Sequence, residues 1–321
     1  MARDPLDPGT MDLFPTDAAA PLSATTRRLI EARAAITANP PENADKAFIA
    51  RQLVQATLPH SDPGNVPIWR RSNGALTLTI RPHYDRDGRA AYPHGTVPRL
   101  LLFWMTAEAV KTQSRRLELG DTLAEFMREI GMNPDNGSVG AKRSDARRLR
   151  DQMHRLFRSI VSFDYSDETR AGWLDMPIAP SGEFWWDHRQ PDHPTLWGSW
   201  IELGERFYEA LIAAPVPVDR RALAALKRSP LHLDLYSWAV YRTYTVSQAG
   251  KPARISYQQL QQQLGANYSE LRDFKKAFRS ALEKVQAIYP ALRVDDADGG
   301  IIVKPAESAI PKRHVRKPAD T

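Results

Sequence analysis

Residues 145–163 read DARRLRDQMHRLFRSIVSF, and residues 270–286 read ELRDFKKAFRSALEKVQ. At 3.6 residues per turn the second stretch places Leu271, Phe274, Phe278, Leu282 and Val285 on one stripe. Arg272, Lys275, Lys276 and Arg279 fall on another. The first stretch has the same character, and its Leu156-Phe157-Arg158-Ser159 echoes Ala277-Phe278-Arg279-Ser280. Charge concentrates there: between Gly140 and Ser159 stand Lys142, Arg143, Arg147, Arg148, Arg150, Arg155 and Arg158 against only Asp145 and Asp151. An amphipathic helix with a basic outer face is, taken alone, most often a solvated face. Its neighbours in the chain give it meaning.

Each basic helix is third in a recurring order. Upstream of the first lie an apolar helix from Thr96 to Lys111 carrying Trp104, a strand from Arg115 to Leu119, and a helix starting at Gly120-Asp121. Asp121 is its expected N-cap and Gly131 its terminator. The basic helix then runs from about Ser144 to Ser159, with a strand near Val161 to Tyr165 after it. Upstream of the second lie an apolar helix from Leu231 to Tyr244 with Trp238, a strand at Arg254-Ile255, and a helix capped by Ser256 and ended by Gly265. Ser269 is the expected cap of the second basic helix, which runs to about Ile288 before a hairpin over residues 291–304.

Helix, strand, helix, turn, helix, hairpin is the order of a winged helix. In that fold the helix after the turn lies in the DNA major groove and the hairpin reaches the backbone. The expected class is therefore α+β, mainly α, with two tandem winged-helix domains over residues 61–213 and 219–306. Ala214-Pro-Val-Pro-Val218 reads as the linker. Residues 1–60 read as a leader with helices: a disordered stretch to residue 21, a helix from Pro21 to Ala38, and a second from Asp45 to Thr57. A strand is expected over Ala75–Ile80 and a turn at Asp87-Gly88. Residues 307–321 read as a basic disordered tail.

Lys142, Arg143, Arg147, Arg148, Arg150 and Arg155 are the expected DNA contacts of the first domain. Ser269, Arg272, Lys275, Lys276 and Arg279 are those of the second, with Lys304 on its wing. Arginine can bond guanine bidentately while lysine mostly neutralises phosphate, so Arg272 and Arg279 are the stronger specificity candidates. Which domain reads bases stays open, because the first basic helix carries more charge.

The composition frames this reading. The chain has 321 residues, a formal net charge of +6 and no cysteine. The missing cysteines remove disulfides, Cys-ligated zinc, iron–sulfur clusters and thiol nucleophiles. No apolar run approaches the roughly 18 residues of a membrane span, and the first residues lack a basic-then-apolar signal peptide. A cytoplasmic protein is expected, with no membrane partner.

Enzymatic motifs fail in turn. Residues 137–144, GSVGAKRS, lack the contiguous Gly-Lys-Ser/Thr of a phosphate loop. His188 and His193, with Asp187 and Asp192, sit in a Pro-rich loop without a third well-placed metal ligand. There is no His-hydrophobe-His pair of a nicking enzyme, although Tyr241 and Tyr244 are close, and no Gly-x-Ser-x-Gly. Trp185, Trp186, Trp197 and Trp200 read more readily as core or interface than as a base-stacking platform. No enzyme activity, metal or cofactor is expected.

The string HGTVPRLLLFWMTAEAVKTQSRRLELGDTLAEFMREIGM, residues 94–132, resembles the plasmid-encoded replication initiator (RepA) family. The resemblance continues through RRLRDQMHRLFRSIVSF, WGSWIELGERFYEALIAAPVPVD, LDLYSWAVYRTY and ISYQQLQQQLG, over roughly residues 65–290. The chain is also similar to the TrfA group of initiators. The resemblance implies binding to repeated origin sequences (iterons) in double-stranded DNA, opening of AT-rich duplex, and recruitment of host DnaA and the replicative helicase. It further implies a homodimer in equilibrium with the monomer. A transcriptional repressor on the same fold is the competing reading, since fold does not fix function.

Overall fold

The computed structural model describes residues 23–39, 41–42, 45–136, 144–166, 171–186, 189–194, 198–264 and 268–310. The stretch expected to be disordered, to residue 21, together with Lys142, Arg143, Asp187, His188, Trp197, Gly265 and the last eleven residues, lies outside them.

The first helix, α1 (Ala24–Ala38), opens where the Ser23 hydroxyl accepts from the Thr26 N–H at 3.1 Å. The helix expected from Asp45 to Thr57 is instead a strand, β1 (Lys46–Ala50), and a short helix, α2 (Arg51–Gln55). Hairpin β2 (Trp69–Asn73) and β3 (Leu76–Arg81) follows, then a ribbon of β4 (His83–Tyr84) and β5 (Ala90–Ala91). That ribbon closes over the expected turn, where Gly88 has φ +74°.

Helix α3 (Thr96–Thr112) is largely apolar and buries Val97 through Thr106 and Ala109. Strand β6 (Arg116–Gly120) leads into α4 (Leu123–Glu129), whose cap is Thr122 rather than Asp121. The Thr122 hydroxyl accepts from Glu125 N–H, three residues on, at 3.1 Å. Ser144 caps α5 (Asp145–Phe157) in the same way. Strands β7 (Ile160–Ser166), β8 (Ala171–Pro177), β9 (Ser181–Glu183) and β10 (Ser199–Glu202) come next, then α6 (Glu205–Ala213).

The stretch read as a linker is a strand, β11 (Pro215–Asp219), antiparallel to β1 with Ala47 opposite Val218 and Ile49 opposite Val216. Its Pro-Val alternation is a strand pattern: prolines sit on the outer edge of a two-stranded ribbon, where no ladder N–H is required. Helices α7 (Arg220–Leu226) and α8 (Pro230–Ala249), strand β12 (Ala253–Ser256) and helices α9 (Tyr257–Leu264) and α10 (Leu271–Ile288) lead to hairpin β13 (Val294–Ala297) and β14 (Gly300–Val303). Ser256 caps α9 reciprocally: its Oγ accepts from Gln259 N–H, and Gln259 Oε1 accepts from Ser256 N–H. Ser269 does not cap α10; Glu270 holds that position without a side-chain bond. The tail also starts later than expected. Ala306 N–H donates to the Ser247 hydroxyl at 3.1 Å and Ile310 is buried.

The protein is thus mixed α+β with several small antiparallel sheets. The two halves share an order of elements but not a pairing. In the second, β12, β14 and β13 form one sheet, with Ile255 opposite Ile301. In the first, hairpin β7–β8 joins β3 and β2, while β6 pairs with β10, which pairs in turn with β9. The insertion between β8 and α6 supplies β6 with a partner that the second half takes from its hairpin.

The two apolar helices α3 and α8 meet in the centre. Arg99 and Asp234 are both buried there and bonded to each other. Gln263, at the end of α9, ties the halves again: its Oε1 accepts from Trp238 Nε1 at 2.8 Å and its Nε2 donates to Asn73 Oδ1 at 2.8 Å.

Candidate nucleic-acid interface

Helix α5 turns Ala146, Leu149, Met153, Leu156 and Phe157 into the core against α3 and α4. The periodicity that buries these residues leaves Arg147, Arg148, Arg150 and Arg158 exposed. Arg148 is tethered to Asp145 at 3.1 Å, and Asp145 accepts from Asn136 at 2.9 Å. Arg155 is placed differently. Its guanidinium donates to Asp151 at 2.9 Å, to Asp62 at 3.0 Å and to the Tyr92 carbonyl at 3.3 Å, which ties the helix to the loops beneath it.

Helix α10 buries Phe274, Phe278, Ala281, Val285 and Ile288. Its opposite side carries Arg272, Lys275, Lys276 and Arg279, which with Ser280 and Glu283 line a shallow open depression. Arg272 is 88% exposed and pairs with its neighbour Asp273 at 3.4 Å. Lys275 lies over the Tyr257 ring at 5.0 Å. Arg279 donates to Tyr257 Oη at 3.2 Å and to Asp296 at 2.9 Å, so α9 and the hairpin both hold it. The Tyr257 bond, and Asp296 after it, raise the Arg279 pKa further. Lys304 is ion-paired with Asp295, and Ser269 is exposed beside the helix start.

The expected residues therefore fall into two groups. Arg147, Arg148, Arg150, Arg272, Lys275 and Lys276 stand on the outer helix faces. Arg155, Arg279 and Lys304 are engaged by carboxylates of the fold. The holding groups, Asp62, Tyr92, Tyr257 and Asp296, were not read from the sequence; they lie far from the helices they serve along the chain. The hairpin expected to be the wing is acidic: Asp295, Asp296 and Asp298 oppose phosphate rather than attract it.

The tryptophans divide. Trp186 is buried on Phe126, with ring centroids 5.2 Å apart. Trp200 lies beneath the Arg116 guanidinium at 4.0 Å, whereas Trp185 is half exposed. Among the described residues, no group of three or more His, Asp or Glu could hold a metal ion, and no helix is long and apolar enough to cross a membrane.

The family model of plasmid-encoded RepA proteins matches residues 92–259, more than half of the chain. The chain belongs to that family. Membership implies a role in plasmid replication and suggests DNA binding. The match contains α3, α5 and α8 and stops inside α9, so it includes the first basic helix but not the second. It is narrower than the span from 65 to 290 over which the resemblance was read. No curated protein matches the chain.

Proposed function

We propose that this RepA family member is a non-enzymatic replication initiator. It binds iterons in double-stranded origin DNA through two winged-helix units, residues 61–213 and 219–306. It promotes opening of adjacent AT-rich duplex and recruits DnaA and the replicative helicase, with the monomer in equilibrium with a homodimer. The carrying observation is the pair of helices α5 and α10. Each follows a shorter helix, buries one apolar face and turns a row of cations to solvent. Arg147, Arg148, Arg150, Arg272, Lys275 and Lys276 act as the main contacts, with Lys142 and Arg143 leading into α5. Arg279 is a pre-oriented base reader, because Tyr257 and Asp296 reduce the rotamer freedom it would lose on binding.

Permanganate footprinting of supercoiled origin DNA tests the reading. An initiator makes AT-rich thymines beside the iterons reactive. Tight iteron binding without any reactive thymine assigns the chain to the repressor class instead.

A further inference from the structure

An open groove of about 960 Å³ lies between β1, α3, the end of α4 and α7. That size is at the upper end of ligand pockets. Its floor is apolar, formed by Phe48, Leu100, Phe103, Trp104, Val110 and Leu223. Its rim carries Lys46, Lys111, Arg128, Arg220, Arg221 and Lys227 against Asp45, Glu108 and Glu129; with Asp219 and Asp192, which pair with Arg221 and Arg128 at 2.7 and 3.4 Å, the balance stays positive by one. None of these residues belongs to the outer faces of α5 or α10, so the DNA reading leaves this surface unassigned.

Two ends of the chain lie outside the described residues, and charge separates them as occupants. Residues 311–321 hold Lys312, Arg313, Arg316 and Lys317 against Asp320, which the basic rim repels. Residues 1–22 hold Asp4, Asp7, Asp12 and Asp17 against Arg3, and among them Leu13 and Phe14 are adjacent. Reach also favours them. Helix α1, which they precede, packs on α7, and its far end meets the rim: Arg221 donates to the carbonyls of Ala35 and Asn39 at 3.3 and 3.0 Å. The fifteen residues of α1 span about 22 Å. Nine residues from Phe14 to Ser23 can span up to about 30 Å, long enough to reach back along the helix.

We propose that residues 11–17, MDLFPTD, dock in this groove of their own chain, with Leu13 and Phe14 on the apolar floor and Asp12 and Asp17 toward the cationic rim. The ligand class is a short acidic–aromatic peptide, so the groove is also a site for which any such peptide competes with the leader. This inference stands apart from the DNA reading and survives its failure.

The full chain carrying Phe14→p-benzoylphenylalanine is irradiated and digested. A crosslink within one chain to residues 46–48, 100–111 or 220–227 is expected. Crosslinks elsewhere overturn the proposal, and a dimer-sized product overturns the intrachain assignment in favour of a second copy's leader. A labelled peptide of residues 8–20 supplies the second measurement. It should bind full-length Leu13→Ala/Phe14→Ala at least about tenfold more tightly than the parent, whose own leader competes at high effective concentration. Adding Lys111→Glu should weaken that binding about threefold. Equal binding to parent and variant, or none to the variant, removes the site.

Discussion

Arg99 of α3 and Asp234 of α8 form a buried bidentate ion pair, with Nε to Oδ1 and Nη2 to Oδ2 both at 2.7 Å. The remaining guanidinium donors reach the carbonyls of Leu58, Pro59 and Gly95 at 2.7, 3.1 and 2.6 Å. His60 Nε2 sits 2.8 Å from Asp234 Oδ2. Burial pushes the Asp234 carboxyl up, but Arg99 and His60 together pull it well below the usual carboxylate range. One clasp thus joins the corresponding helices of the two halves, far from the cationic faces.

Removing one partner leaves the other charge buried and unpaired. Arg99→Ala and Asp234→Ala should each cost about 3–5 kcal/mol. Arg99→Met/Asp234→Leu should cost less than the sum of the single changes. Urea denaturation measures all three; additive losses would dissolve the clasp as a unit.

Acid should weaken the fold through His60, whose pKa burial drives down to about 4, against the Asp234 bond that raises it. A depressed folded pKa means that the unfolded chain binds the proton first. Stability is therefore complete above about pH 6.5 and is lost as pH falls toward 4, by about 3 kcal/mol for this residue. Burial holds His232 at about 4 as well. His60→Gln should shrink the loss in thermal melts across this window, and His60→Gln/His232→Gln should shrink it further, leaving the part carried by His83 and His154, which burial also lowers. An unchanged slope in the double variant would show that other groups control it.

Gly300 and Gly299 are neighbours with different constraints. A Cβ at Gly300 would stand 2.2 Å from the Ile255 carbonyl oxygen and 2.8 Å from Ser256 Cα, inside the β12–β14 pairing. Gly299 has φ +70° and nothing within 4 Å of the same atom. Gly299→Ala should cost about 1 kcal/mol from backbone strain. Gly300→Ala must displace backbone, so it should cost more and raise hydrogen exchange across residues 253–256 and 300–303. Equal costs would count against this sheet.

Arg147→Ala and Lys276→Ala should weaken iteron binding with little change in melting temperature, each lowering the salt slope by about 1. Arg155→Ala should act in the opposite sense, chiefly on stability, because it unpins α5 from Asp62 and Tyr92. Fluorescence anisotropy at several salt concentrations, beside thermal melts, separates the two. A pure binding defect in Arg155→Ala would move that residue to the outer group.

Asp296→Ala should release Arg279 while leaving Tyr257 to hold it from one side only. Affinity for random duplex should rise as a carboxylate leaves the surface, and the ratio of iteron to random affinity should fall. Competition binding with the two duplexes reads both; an unchanged ratio would show that Arg279 does not read bases.

Much of this was written in local pattern. The largely apolar string of α3, the two-sided stripes of α5 and α10, and the Ser256 cap depend on residues within a turn or two of one another. Local periodicity decides which side of a helix leaves water. The two missed strands share a cause. Residues 215–219 are a strand only because β1 lies beside them, and residues 46–50 are a strand only because β11 does. Strand β6 was legible from its own alternation, but not its partner, which arrives some eighty residues later in the chain.

Local spacing of apolar side chains sets the faces that α3, α5, α8 and α10 bury and the positions of the cationic rows. Tertiary structure alone decided which strands pair, and which cations stay on the surface. Arg147 and Arg155 are both arginines on one helix, yet Arg147 is exposed while Arg155 is drawn inward by Asp62 and Tyr92. No spacing along the chain encodes that difference, because a carboxylate and a carbonyl brought close by folding set it.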